Sequence, residues 1–168
     1  MAFEDGIHAV GHHLQTHAHG LGGGQRDAYA RSAFNRYYYS VFLKTRDLFR
    51  SINPSWSRMP HADYPVTLRA TVRKQLRIAW SRARKDGDTK LVKDTEAALR
   101  AVDALSKLLE QAYAIRVVAD YNPEEEVDFQ SGDRFSLKEV EITAAHDWRP
   151  KCDTFCAAIY SAWVQVNV

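Results

Sequence analysis

Apolar positions recur every three or four residues along most of this chain, which gathers them on one side of a helix and leaves the polar residues on the other. From Gln25 to Arg50 the repeat runs through Ala30, Phe34, Tyr37, Val41, Thr45 and Leu48, the signature of an amphipathic helix. From Leu91 to Ala119 it runs through Val92, Thr95, Leu99, Val102, Leu105, Leu109, Ala112, Ile115 and Ala119. Asn122-Pro123 should stop that helix, because proline pushes the residue before it out of the α region. A third stripe, between Val66 and Ala83, carries Leu68, Val72, Leu76, Ala79, Trp80 and Ala83. Asp63 and Pro65 are its start signals, and Asp86-Gly87-Asp88 is its break.

A last helix is expected from Ser136, where Ser136 and Glu139 have capping-box spacing. Its stripe is Leu137, Val140, Ala144, Trp148, Cys152, Phe155, Ile159 and Trp163, and Pro150 should kink or split it near Trp148. A short first helix, Phe3 to Thr16, runs into the glycine cluster of Gly20, Gly22, Gly23 and Gly24. Ser51 to Tyr64 and Asn122 to Phe135 read as loops. No strand-like alternation and no internal repeat is evident. The expectation is an all-α, up-and-down bundle of about five helices. It is read as one domain over 1–168, with 1–24 as an N-terminal helix and Gly-rich loop and 25–168 as the core.

Composition narrows the class. A chain of 168 residues supports one sizeable core, and a second domain is not expected. With 45% hydrophobic and 26% charged residues, it reads as a soluble globular protein. No apolar run approaches the roughly 18 residues that would span a bilayer, and no signal-peptide pattern is present. The cytoplasm is therefore the default compartment, with no membrane partner. Cys152 and Cys156 stand four residues apart, which suits two small core residues better than a disulfide framework.

The net charge of +2 conceals an asymmetry. Seven cations and no acid lie between Pro65 and Lys85, whereas ten acids and four cations lie between Asp120 and Asp153. Within the basic stretch Arg69, Arg73 and Arg77 form one guanidinium ridge at helical spacing. Such a ridge suits phosphate contact, because the planar fork of arginine grips phosphate in a bidentate way; a solvated helix face is the alternative. His8, His12, His13, His17 and His19 crowd the first helix. Their two i,i+4 pairs fall on different faces with no acid at ligand spacing, so neither a metal nor another cofactor is expected. His61 lies in a loop between helices, a common setting for catalytic side chains.

Arg116-Val117-Val118-Ala119-Asp120-Tyr121 places a cation at the edge of a buried stripe, where it needs an anion or a polar cleft. Pairing of Arg116 with Asp120 one turn on is the simplest outcome. A second cluster, Arg36-Tyr37-Tyr38-Tyr39-Ser40-Val41-Phe42, lies on the Gln25–Arg50 helix. The segment Arg26 to Phe42, with its Tyr-Tyr-Ser-x-Phe run, and the Arg-x-x-Ala-Asp-Tyr motif at Arg116 together resemble the HEPN superfamily. These are small helical domains of prokaryotic toxin–antitoxin and antiviral defence systems, and the likeness covers roughly Gln25 to Trp163.

The resemblance implies a helical bundle that pairs as a homodimer and sets two arginine motifs across a cleft. It implies an RNA-directed role, with metal-independent endoribonuclease activity in active members. In those members the RNA 2′-hydroxyl attacks the adjacent phosphate while an arginine holds the phosphate and a histidine shortly after it moves the proton. Arg116 matches the arginine. Tyr121 stands where the histidine would be, and Pro123 stands where some members carry a tyrosine modified by a nucleotidyltransferase-type antitoxin. The implied site is Arg116, Asp120, Tyr121 and His61, with RNA held by Arg69, Arg73 and Arg77. The alternative is a non-catalytic HEPN-like dimer that binds a nucleotidyltransferase-type or other antitoxin or defence protein, or a nucleotide.

Overall fold

The computed structural model describes residues 2–166 and is 80% helical, a predominantly all-α helical bundle with one small sheet. Its elements are α1 (Phe3–Ala18), α2 (Gly23–Ile52), a 3-10 turn (Pro54–Arg58), α3 (Asp63–Thr67), a π-helical turn (Leu68–Val72), α4 (Arg73–Asp86), α5 (Thr89–Tyr121), β1 (Asp128–Phe129), β2 (Phe135–Leu137), β3 (Val140–Glu141), α6 (Ile142–His146) and α7 (Trp148–Val166). The described residues group into two compact units. One comprises 2–43 and 111–150, the other 44–110 and 151–166, so α2, α5 and α7 each supply residues to both.

In the first unit the α2 stripe behaves as its period requires: Ala30, Phe34, Tyr37 and Val41 are all buried. Ala112, Ile115 and Ala119 of α5 and Phe135, Leu137 and Ile142 complete this core. The close approach of α1 depends on Gly11, where an added Cβ would lie 3.0 Å from the Tyr37 ring carbons. The Tyr37 hydroxyl donates to buried Gln15 Oε1 at 2.5 Å, and burial raises its pKa well above the ordinary phenol value. His8 Nε2–H donates to the His146 carbonyl at 3.0 Å. Arg149 Nη2 reaches Asp5 Oδ1 at 2.8 Å.

The C-terminus of α5 is closed by a side chain from α2. Arg31 Nη1 donates to the carbonyls of Val118 (3.3 Å), Ala119 (3.5 Å) and Asn122 (3.1 Å), and Nη2 donates to Glu125 O. Of these, Ala119 O is a last-turn carbonyl of α5, Val118 O also accepts the Asn122 N–H at 3.1 Å and Asn122 O the Glu125 N–H at 3.2 Å. The arginine thus ties the helix end to the turn that follows it, and a cation there also complements the helix dipole. Asp27 Oδ2, 2.6 Å from Arg31 Nε, orients the guanidinium.

Two expectations need correction here. The segment read as a loop and then a capping box is a three-stranded antiparallel sheet of order β1-β2-β3, with Asp128 opposite Ser136 and Leu137 opposite Val140. Ser136 lies in β2, and Lys138 and Glu139 form the tight turn to β3, both with positive φ (46° and 64°). Two successive left-handed residues are the geometry of a two-residue hairpin, so the final helices start only at Ile142 and Trp148. Alternation did not reveal β2 because all three of its residues are buried. The expected split near Trp148 does occur, and Pro150 falls in the first turn of α7, where its missing N–H costs nothing. The other shift is at the glycine cluster: α1 runs on to Ala18, and α2 begins at Gly23, whose φ of +52° suits glycine.

In the second unit Leu48, Phe49, Tyr64, Leu68, Val72, Leu76, Val102, Leu105 and Ile159 are buried. Tyr64, expected in a loop, is a fully buried core residue with its ring 4.8 Å from that of Phe49. Cys152 and Cys156 are both buried and form no disulfide, with Sγ atoms 3.7 Å apart, as their spacing suggested. Gly87, at φ +73°, caps α4 by donating its N–H to Ala83 O, and the Asp88 carboxylate then accepts the Leu91 N–H at 2.9 Å to start α5.

Candidate functional site

The arginine motif sits on the last turns of α5 in the first unit. Arg116 Nε lies 2.9 Å from Asp120 Oδ2, with side chains 18% and 26% exposed. The distance is that of an ion pair, but the N–H is not aimed at the oxygen, and Nε has no hydrogen-bond acceptor. This misalignment fits an arginine placed before its acid at i,i+4, the poorer order on a helix. Asn35 Nδ2 of α2 donates to the other Asp120 oxygen at 2.6 Å. The guanidinium carbon stands 5.9 Å from the Tyr39 ring centre and 5.4 Å from that of Tyr121.

Burial acts to lower the Arg116 pKa, but Asp120 together with Tyr39 and Tyr121 outweighs it, and the value lies above ordinary. Arg116 is therefore a permanent cation with a carboxylate beside it and two phenols around it. Tyr121 is 66% exposed. The motif thus brings Arg116, Asp120 and Tyr121 together and adds Asn35 and Tyr39 from α2. His61 belongs to the second unit, in the turn before α3, and is half-buried.

The basic stretch occupies the second unit. The π-helical turn between α3 and α4, in which the Arg73 N–H bonds back to Leu68 O, contains Arg69 and is followed directly by Arg73; such turns recur at functional sites. Arg69 makes a two-pronged pair with Glu110, its Nη2 donating to Oε2 at 2.6 Å, and Arg73 Nη1 donates to Asp103 Oδ1 two turns earlier on α5. Glu110 holds Arg69 protonated more firmly than usual, chiefly through that hydrogen bond. Arg77 is exposed. The three arginines predicted to act together are therefore divided, two tied to acids of α5 and one turned to solvent.

What remains open is larger than the ridge. Arg69, Arg73, Lys74, Arg77, Arg82 and Lys85 line one shallow basin of about 520 Å3 along α4, with Ile78 and Ser81 and no carboxylate. Among the described residues Lys74, Arg77, Arg82 and Lys85 make no ion pair. Lys74, Arg82 and Lys85 were legible only as members of a cation-rich stretch. Glu110 and Asp103, which remove Arg69 and Arg73 from the free set, carry no local spacing signal at all.

The N-terminal histidines do not converge on an ion: among the described residues no group of three or more His, Cys, Asp or Glu side chains is placed to hold a metal. Among the described residues no helix is long and apolar enough to cross a membrane. Comparison of the chain with known protein families, with curated proteins and with solved structures finds no match in any of the three.

Proposed function

We propose that this chain is an RNA-directed, HEPN-like component of a prokaryotic defence or toxin–antitoxin system, acting in the cytoplasm as a homodimer. The observation that carries the RNA reading is the acid-free basin on α4. Lys74 to Lys85 spans about 16 Å at 1.5 Å per residue, long enough to follow several successive phosphates. Contact through four uncompensated cations would release counterions on binding, so affinity for a single strand should fall with log salt at a slope of about −3.

The test is RNA binding by fluorescence anisotropy over a salt series, wild type beside Arg77→Glu/Arg82→Glu. The wild type should bind with the stated slope and the variant should lose both affinity and slope. Absence of binding at low salt, or an unchanged slope in the variant, refutes the proposal. Endoribonuclease activity is its stronger form: Arg116, whose Nε–H has no acceptor, would hold the scissile phosphate. Cleavage by wild type in the presence of chelator, lost in Arg116→Ala, would support it.

A second reading is a non-catalytic HEPN-like dimer that binds a partner such as a nucleotidyltransferase-type protein, or a nucleotide. It is favoured by one observation: the side chains around the Arg116 guanidinium are Asp120, Tyr39 and Tyr121. None is an imidazole, the side chain that exchanges protons most readily near neutrality. RNA binding without cleavage would select this reading.

A further inference from the structure

Charge alone does not account for Trp80. Its indole is half-buried on α4, and Nε1–H donates to Glu96 Oε1 of α5 at 3.1 Å. The Arg84 guanidinium lies 4.9 Å from the ring centre. Trp80 also lines a groove of about 430 Å3 shared with Arg77, Ser81, Glu96, Leu99 and Arg100, and a neighbouring basin with Ser81, Arg84 and Lys85. A volume near 430 Å3 lies within the roughly 300–1,000 Å3 span of small-molecule clefts.

We propose that Trp80 is a stacking platform for a base of single-stranded RNA, so that this surface takes single strands in preference to duplex. The inference rests on the reading of α4 as an RNA-binding face. Aromatic rings beside a cationic track are the usual means of holding single strands, because every base has a π-face to offer. Trp80 and Leu99 supply the apolar surface, and Arg77 and Arg100 supply cations beside it for the flanking phosphates. Glu96 decides which part of the strand enters. Its carboxylate repels a phosphate, while it fixes the indole and keeps a second oxygen as acceptor for an amino or imino hydrogen of a base. In a duplex the bases are already stacked on one another and cannot reach the ring.

The experiment uses three dye-labelled probes of equal length: an unstructured single-stranded RNA, the same backbone without bases, and a duplex. Each is titrated by anisotropy against wild type, Trp80→Leu and Trp80→Phe, with circular dichroism checking the fold of each variant. Wild type should bind the single strand about five- to 140-fold more tightly than the baseless strand, the range a single stacked base supplies. Trp80→Leu should lose that preference while holding the baseless strand as before, and Trp80→Phe should keep part of it. Should Trp80→Leu fail to fold, the reduced preference of Trp80→Phe becomes the readout. A preference that survives unchanged in the folded variants overturns the inference. Equal, salt-dependent binding of all three probes by wild type also overturns it and leaves the electrostatic reading of α4 standing. Binding of none of them overturns both.

Discussion

Replacing Arg31 by methionine would keep most of the side chain's volume and remove every side-chain bond it makes to the end of α5 and the turn after it, leaving the backbone bonds of Asn122 N–H to Val118 O and Glu125 N–H to Asn122 O. The guanidinium is 12% exposed, so solvent screening discounts these contacts little. Of its four bonds to carbonyls, those to Asn122 (3.1 Å) and Glu125 are the closest, and those to Val118 (3.3 Å) and Ala119 (3.5 Å) are longer. Two charge-assisted bonds at the lower end of their range contribute about 3 kcal/mol. The ion pair with Asp27, which is 43% exposed, adds at most about 1 kcal/mol. Some carbonyls would find water once the arginine is gone, which brings the expected loss to about 2–3 kcal/mol. With a urea slope of about 2 kcal/mol per molar, the midpoint should fall by roughly 1–1.5 M. Arg31→Lys should recover part of this, since an ammonium at that distance cannot serve several carbonyls at once. Urea unfolding followed by far-ultraviolet circular dichroism measures both variants. A midpoint shift below about 0.3 M for Arg31→Met would refute the view that this arginine anchors the turn carrying Arg116, Asp120 and Tyr121.

Gly11→Ala should cost about 1–3 kcal/mol, because the new methyl would meet the Tyr37 ring and the Arg36 Cβ; thermal unfolding reads the loss, and a neutral result would mean that α1 can shift outward. Tyr37→Phe leaves buried Gln15 without its donor, at about 1–2 kcal/mol by the same measurement. The His8 pKa is held below its ordinary value, first by burial and then by the nearby His146, Arg149 and His12, against the opposing pull of its bond to the His146 carbonyl. The unfolded chain therefore binds the His8 proton more readily, so stability from this site is full above pH 6.5 and declines as pH falls through the lower folded value. The melting temperature of His8→Gln should depend less on pH between 7.5 and 5.5 than that of wild type. Asp120→Ala strips Arg116 of its carboxylate and Asn35 of its acceptor; a loss of about 1–2 kcal/mol in urea unfolding is expected, and an unchanged midpoint would show that the pair contributes nothing.

Much of this fold is written in the periodicity of the chain. The stripe of Ala30, Phe34, Tyr37 and Val41, the stop at Asn122-Pro123, the break at Gly87 and the split near Trp148 all follow from local rules, since each needs only neighbours within a turn or two. The i,i+4 closeness of Arg116 and Asp120 follows for the same reason. The small sheet was not legible, because three strands of two or three residues offer no alternation to detect and β2 is buried throughout. Arg31 was equally silent. Its partners lie some ninety positions away in the chain, and nothing in its surroundings distinguishes it from the other arginines of α2.

The candidate surfaces divide along the same line. Sequence alone determined that a helix would carry seven cations without an acid between Pro65 and Lys85, because composition and helical period are properties of consecutive residues. Tertiary structure alone decided which of those charges are compensated: Glu110 and Asp103 of α5 take Arg69 and Arg73, while among the described residues Lys74, Arg77, Arg82 and Lys85 make no ion pair. It also decided that Trp80 meets Glu96 and lines a groove rather than filling a core. A charge or a ring acquires its role from what the fold packs against it, and that neighbour is seldom the next one in the chain.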